Sequence, residues 1–244
     1  MKAIYKRELK SYFKTPVGYI FFSAFFFFAS LMFVFINLAG KFTPMSAFFS
    51  NVSLIFVFVI PVLTMRLFSE ERKSKTDQLL LTSPVRVRDI VFGKFLAAAT
   101  VLLISVAATL LFVPIMEQYG TPAISETLVG YLGLFLMGLL FVALGMFMSS
   151  VTESQVIAAV STLAILFFLW FLGGLGLQFS EVFSGIWRWV GVALDWFLDF
   201  ISINNRFYDF TLGTLNVVPL FYFVSLTGLF IFLTIQVIER RRWK

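Results

Sequence analysis

Six uninterrupted apolar runs decide what this chain can become. Gly18–Leu38, Phe48–Met65 (with Arg66 at its rim), Phe95–Met116, Leu128–Met148, Val156–Leu177 and Val217–Ile238 are each 18 to 22 residues long, and none contains Asp, Glu, Lys or Arg. About 20 apolar residues in a helix cross the roughly 30 Å hydrocarbon core of a bilayer, so every run is long enough. Charged residues make up 13% of the chain, against about 25% in a soluble domain. The expectation is an all-α, polytopic membrane protein with six transmembrane helices in one domain spanning residues 1–244. At 21 residues, Gly18–Leu38 is longer than the apolar core of a cleaved signal peptide and reads as an uncleaved anchor.

Composition removes several chemistries. With no Cys there are no disulfides or thiolate metal sites, and with no His the common imidazole base and metal ligand are missing. The 34 Phe residues are read as lipid-facing and gap-filling side chains rather than as an aromatic site. The net charge of +6 sits beside apolar segments, which favours anionic lipid over nucleic acid as its partner.

The segments between the runs carry the rest of the pattern. In residues 1–17, Lys2, Lys6, Lys10 and Lys14 recur every four residues while Ile4, Tyr5, Leu9, Tyr12 and Phe13 fall mostly on another side. That spacing predicts an amphipathic helix on an anionic membrane surface. Pro61 is expected to kink the second run near its end, and Pro114 punctuates the third. Gly130, Gly133, Gly138 and Gly145 suit close helix contact, although none forms a Gly-x-x-x-Gly pair. Gly185–Ile203 is different. Trp187, Val190, Leu194, Phe197 and Ile201 line one face, opposite Arg188, Asp195, Asp199 and Ser202. Each of those charges costs roughly 2.5–3.5 kcal/mol at a bilayer centre, so the segment is read as an interfacial helix between spans five and six.

Lys and Arg then set the orientation. Six spans place sixteen of the nineteen on one side, in residues 1–17, 66–94 and the C-terminal tail, against Lys41, Arg188 and Arg206 on the other. The positive-inside rule puts both termini and the segment between spans two and three in the cytoplasm. Residues 178–216 become extracytoplasmic.

That cytoplasmic segment, residues 69–90, concentrates charge. Ser69 is expected to cap a helix opening on Glu70 and Glu71, with Glu71 and Lys75 as an i,i+4 pair. Leu79, Leu80 and Leu81 follow, Pro84 breaks the run, and a second helix starts at Arg86–Asp89 and enters the third span. Charge alone favours a solvated loop; alternating charge with an apolar end and a Pro-terminated turn suggests instead a rigid docking lever.

Residues 65–97, MRLFSEERKSKTDQLLLTSPVRVRDIVFGKFLA, resemble the signature between the second and third spans of type-2 ABC transporter permeases. Glu70, Glu71, Thr76, Leu79–Leu81, Thr82, Pro84, Val85, Gly93 and Lys94 carry the likeness. Arg206-Phe207, Phe210, Gly213 and Glu239–Trp243 are similar to the gliding-motility and nitrous-oxide-reductase-maturation branch. Three places depart from the pattern: Thr76-Asp77-Gln78, Arg86 and Leu212.

The resemblance implies a membrane permease subunit, paired as a homodimer or pseudo-dimer with two copies of a separate ABC-type ATPase. It also implies that residues 69–90 form the coupling helix. The ATPase contact is then expected at Glu70, Glu71, Arg72, Lys75, Thr76, Leu79, Leu80, Leu81, Thr82 and Pro84. The chain has no G-x-x-x-x-G-K-[ST] phosphate cradle, so ATP and Mg belong to the partner and this chain is expected to bind no cofactor, hold no metal and catalyse nothing.

Two functions compete. One is an exporter whose passage, as the resemblance implies, lies between two protomers and is lined by spans two and five; their lack of charge favours hydrophobic or lipid-linked cargo over ions. The other is a mechanical transmitter acting on an extracytoplasmic accessory or lipoprotein through Trp187, Asn204, Asn205, Arg206 and Asp209 in the polar turn after the interfacial helix. That outer segment reads equally as a membrane-resting lid. A secondary carrier fits least, because the spans lack carboxylates, and Glu117, Glu126 and Glu153 stand isolated at span ends.

Overall fold

A computed structural model describes residues 1–40, 44–76, 85–119, 123–172 and 188–242. Within these the chain is helical: α1 (Lys2–Lys14), α2 (Pro16–Met32) continued by a π-helix (Phe33–Ala39), α3 (Ser46–Thr64), α4 (Ser69–Lys73), α5 (Val87–Thr109), α6 (Phe112–Glu117), α7 (Ile124–Val151), α8 (Gln155–Leu172), α9 (Arg188–Ile201), α10 (Ile203–Thr211) and α11 (Val217–Arg242). Six segments among the described residues are long and apolar enough to span a membrane: Pro16–Ala39, Ser46–Lys73, Val87–Glu117, Ile124–Val151, Gln155–Leu172 and Val217–Arg241. Each of the six apolar runs falls on one of these segments over its described residues. The fourteen-residue α9 is not among them, in keeping with the charges it carries. The glycine-rich end expected of the fifth span, Gly173–Gly176, lies outside the described residues, as does Trp187.

The helix boundaries follow from local chemistry. Pro16 disfavours helical backbone at the residue before it. Thr15 is accordingly extended (φ −102°, ψ 156°), and Pro16 opens α2 at its first turn, where a missing N–H costs nothing. The chain then folds back so closely that a Cβ on Gly18 would lie 2.4 Å from the Tyr12 carbonyl oxygen, so only glycine fits there. Pro114 acts similarly on the third span. It cannot donate to the Leu110 carbonyl, and α5 ends at Thr109 in a tight turn before α6 resumes. Pro61 lies inside α3, one turn before the helix stops at Thr64.

Central to the bundle is α7, which touches α3, α5, α8, α10 and α11. Its small residues make this possible: Gly130 faces the Phe49 ring, Gly133 faces Phe210, Gly138 faces Leu102 and Phe56, and Gly145 faces Thr64. The glycines thus work singly against particular neighbours, without the paired motif. Phe25, Phe48, Phe56, Phe141, Phe207 and Phe223 are fully buried, so many phenylalanines fill the core. Others such as Phe35, Phe168 and Phe221 face outward. Only 17% of the α8 span window is buried, compared with 67% for α3–α4 and α7. The fifth span therefore presents its surface to lipid or to another chain.

The first helix departs from expectation in one respect. Its lysines Lys2, Lys6, Lys10 and Lys14 are exposed, but its apolar face packs on protein. Ile4 lies against Gly93 of α5, the Tyr5 hydroxyl is 3.0 Å from Thr100 Oγ1, and buried Tyr12 donates to the Leu63 carbonyl at 3.1 Å. Leu63 is in the last turn of α3, where carbonyls have no intrahelical donor, so Tyr12 satisfies a group the helix leaves open. Burial, with the Glu8 charge adding to it and Arg66 opposing it, raises the Tyr12 phenol well above its ordinary 10.0. The stability linked to this raised pKa is fully present below pH 10.0 and is lost as pH climbs, because the unfolded chain releases a proton that the folded one retains. Tyr12→Phe is expected to cost about 1 kcal/mol and to flatten that alkaline loss. Denaturant unfolding of the two proteins on either side of pH 10.0 measures both effects.

Candidate functional site: a charged junction at one end of the bundle

The second span does not run smoothly into α4. After Thr64 the backbone turns through Met65–Phe68, and α4 starts at Ser69. Such a break leaves carbonyls of α3 and N–H groups of α4 without helical partners. A side chain from α7 satisfies them: Ser149 Oγ accepts from the N–H of Phe68 at 3.1 Å and of Ser69 at 3.2 Å, and donates to the Met65 carbonyl at 3.0 Å. Ser69 is therefore not the expected cap. It sits one position inside the helix and its own hydroxyl donates back to the Met65 carbonyl.

The far end of α4 corrects a second expectation. The N–H of Thr76 bonds the Glu71 carbonyl at 2.9 Å and that of Lys75 bonds the Arg72 carbonyl at 3.1 Å. Lys75 adopts φ 56°. This is a Schellman termination with lysine in the left-handed position that glycine usually fills. Turning the chain there removes Lys75 from the helical face, and the Glu71–Lys75 pair does not form. Residues 77–84 lie outside the described residues, so the expected contacts at Leu79, Leu80, Leu81, Thr82 and Pro84 have no described geometry. The chain resumes at Val85, and Arg86 is the extended N-cap of α5, the second helix expected there.

Glu71 is instead held by α1 and α5. Its Oε1 is 3.0 Å from Arg7 Nη2 and 3.0 Å from Lys94 Nζ. Glu8 Oε1 completes the arrangement, 2.7 Å from the same Arg7 nitrogen and 3.3 Å from Lys94. Two cations and two carboxylates thus alternate in a closed ring joining α1, α4 and α5. Lys94 is only 1% exposed and lies 5.2 Å from the Phe68 ring centroid. A buried ammonium persists only with charged partners around it. Burial works against the charge on Arg7, yet Glu8 and then Glu71 raise its pKa above the ordinary guanidinium value.

Glu70 stands apart from the ring in a two-pronged pair with Arg66, at 2.5 and 2.9 Å. Between α1 and α4 opens a cavity of about 270 Å³ lined by Arg7, Arg66, Lys94, Glu8, Glu70 and Glu71 with Ser11, Ser74 and Thr76. Its charges balance, so it favours neither anions nor cations. Among the described residues no group of His, Cys, Asp or Glu has the arrangement of a metal site.

Arg72 points the other way. Its Nη1 donates to the Val151 carbonyl at 2.6 Å, and its Nη2 lies 2.8 Å from Glu153 Oε1. Arg241, from the end of α11, donates to the Ser150 carbonyl and, at 3.4 Å, to that of Val151. Two arginines thus meet the negative C-terminal end of α7. The C-terminal tail, α1 and α4 consequently lie at one end of the bundle. Sequence reasoning found Glu70, Glu71 and Arg72 but assigned no role to Glu8, Arg66 or Ser149 and read Glu153 as isolated. The hint available was a lone carboxylate, Glu8, within a lysine-rich helix.

At the opposite end, the polar turn expected at Ser202–Asp209 is a helix. Ser202 Oγ caps α10 by accepting from the Asn205 N–H at 3.3 Å. Phe207 and Phe210 are buried, while Asn205 is exposed and Asn204, Arg206 and Asp209 are half-buried. Asp209 Oδ2 accepts from Asn216 Nδ2 at 3.1 Å, and its carbonyl accepts from Thr214 Oγ1 at 2.8 Å. Asp209 therefore shapes the turn into α11. Gly213 in that turn has φ 74°, and a Cβ there would lie 2.6 Å from Glu126 Cγ, so both backbone and space demand glycine.

No curated protein matches the chain. The model of one family, described as ABC-2 family transporter protein, matches residues 27–238, from within the first span through the last, which takes in α4, α5 and α7 of the charged junction but not Arg7, Glu8 or Arg241. The chain belongs to that family: it is a multi-pass membrane subunit of an ABC transporter, and its family implies an ABC-type ATPase partner and a dimeric arrangement.

Proposed function

We propose that this chain is the permease subunit of an exporter in a bacterial inner membrane, with both termini cytoplasmic and the α4 segment receiving the partner ATPase. The observation that carries this reading is the way α4 is mounted. Its base is fixed by the ring of Arg7, Glu8, Glu71 and Lys94, while Lys73, Ser74, Lys75 and Thr76 are exposed at its tip. A short projection on a rigid footing suits the transfer of force from a soluble subunit. ATP and Mg are held by that subunit, and the permease itself has no catalytic role. Residues 77–84 continue the docking segment, with Leu79–Leu81 as its apolar part. The sixteen-to-three bias of Lys and Arg supports the orientation. The uncharged second and fifth spans, joined by a hydrogen bond of 3.2 Å from Trp170 Nε1 to Ser53 Oγ, favour hydrophobic or lipid-linked cargo. Arg206, Phe207, Phe210 and Gly213 favour the gliding-motility and nitrous-oxide-reductase-maturation branch.

A second reading, transmission of motion to an outer accessory or lipoprotein, is favoured by α9 and α10. Trp189 and Trp196 are each 68% exposed on one side of α9, and Asn205 is exposed on α10. A lid resting at the headgroup level uses the same tryptophans.

The test starts from Lys75→Cys in a chain that has no other cysteine. A membrane-impermeant thiol reagent should label it only in inverted vesicles, and a tagged chain should recover a nucleotide-hydrolysing subunit from membranes. Leu80→Ala should retain that subunit but lose the link between ATP hydrolysis and cargo movement. Labelling from the outside, or recovery of no ATPase, overturns the reading.

A further inference from the structure

We infer that Ser149 and Arg72 are positioning residues that fasten α4 to the α7–α8 turn, so that a displacement of α4 is delivered to the fourth and fifth spans. The inference rests on the reading of α4 as the docking segment, and it adds where the motion goes. Chain connectivity alone suggests another route: α4 follows the second span and leads, through residues 77–84, to the third. The bonding differs from the connectivity.

At the α3–α4 break, two N–H groups and one carbonyl converge on Ser149 Oγ, which is fully buried in the last turn of α7. Water has no access to replace that hydroxyl, and buried backbone groups require partners. One turn along α4, Arg72 spans the end of α7 and the start of the next loop by bonding both the Val151 carbonyl and Glu153. Arg241 adds the end of α11 to the same carbonyls. The contacts sit at both ends of a five-residue helix, so α4 has little freedom to pivot on α7.

The attachment to α1 and α5 is of another kind. It runs through side-chain tips alone, and the Arg7 side chain at its rim is 52% exposed. The other members of that ring are largely buried, Lys94 being 1% exposed, so it ties α4 to α1 and α5 independently of the Ser149 contacts. α4 is therefore held on both sides, and the α7–α8 side is the attachment that chain connectivity does not supply.

Engineered cysteine pairs in the full chain in lipid nanodiscs test this by spin-label distances. One pair, Lys73→Cys with Gln155→Cys, reports α4 against the start of α8. A second, Lys73→Cys with Arg88→Cys, reports α4 against α5. The unmodified junction should give a single narrow distance for the first pair. Ser149→Ala combined with Arg72→Gln should abolish that narrow peak while leaving the second pair's distribution as it was, and Ser149→Thr with Arg72 intact should keep the peak. A narrow first-pair distance in the Ser149→Ala, Arg72→Gln protein overturns the inference, and so does equal broadening of both pairs. Recovery of the ATPase by the tagged wild-type chain judges the docking reading separately, because the distances are measured without the ATPase.

Discussion

Glu8→Gln combined with Glu71→Gln is expected to destabilise the folded chain by about 3–5 kcal/mol, the cost of stripping a buried charge of its counter-ions. Lys94 is the reason. Its ammonium is 1% exposed and has both carboxylates at 3.0–3.3 Å. Glutamine keeps the shape of each partner and an accepting oxygen, so the substitution removes charge with little change in packing. Arg7 loses the same two carboxylates but is half exposed and recovers hydration. Denaturant unfolding in bicelles measures the loss. Adding Lys94→Met to the pair removes the stranded charge and should return most of the stability. If the triple variant is no more stable than the double, the buried ammonium is not what the ring exists to neutralise.

The second large effect is steric. A Cβ on Gly145 would lie 2.2 Å from Thr64 Oγ1 and 2.8 Å from Thr64 Cβ, and Thr64 is fully buried with its hydroxyl donating to the Ile60 carbonyl at 3.1 Å. Thr64 cannot swing aside without losing that bond, so α3 and α7 must separate. Overpacking of this kind costs about 1–3 kcal/mol. The contact is one turn from Ser149 and the α3–α4 break, so the separation should also weaken the footing of α4. Gly145→Ala is therefore expected to lower the unfolding midpoint. Gly228→Ala, with nothing within 4 Å of the added atom, should leave it unchanged or raise it, since alanine is the better helix former. Equal effects at both positions would mean that the close approach of α3 and α7 is not limiting.

Several elements were legible from residue order because they depend on near neighbours. Pro114 ends α5, and Arg86–Asp89 opens it. Other features depend on distant groups. The π-helical end of the first span carries no local marker in FVFINLA. Ser69 looked like a cap because its own sequence resembles one, but a serine eighty residues later supplies the hydroxyl. Glu71 and Lys75 have the spacing of an ion pair, yet the backbone leaves the helix at Lys75 and Glu71 finds stronger partners on α1 and α5.

The amino-acid order by itself determined that this chain enters a membrane, how many times it crosses and which segments carry charge. Hydrocarbon excludes charge and requires about 20 apolar residues per crossing, and both are properties of single segments. Only the tertiary structure decided which charges meet. Electrostatic and hydrogen-bond partners are chosen by proximity in space, and it took the packing of α1, α5 and α7 around α4 to bring Glu8 and Lys94 to Glu71, and Ser149 to the break at Phe68.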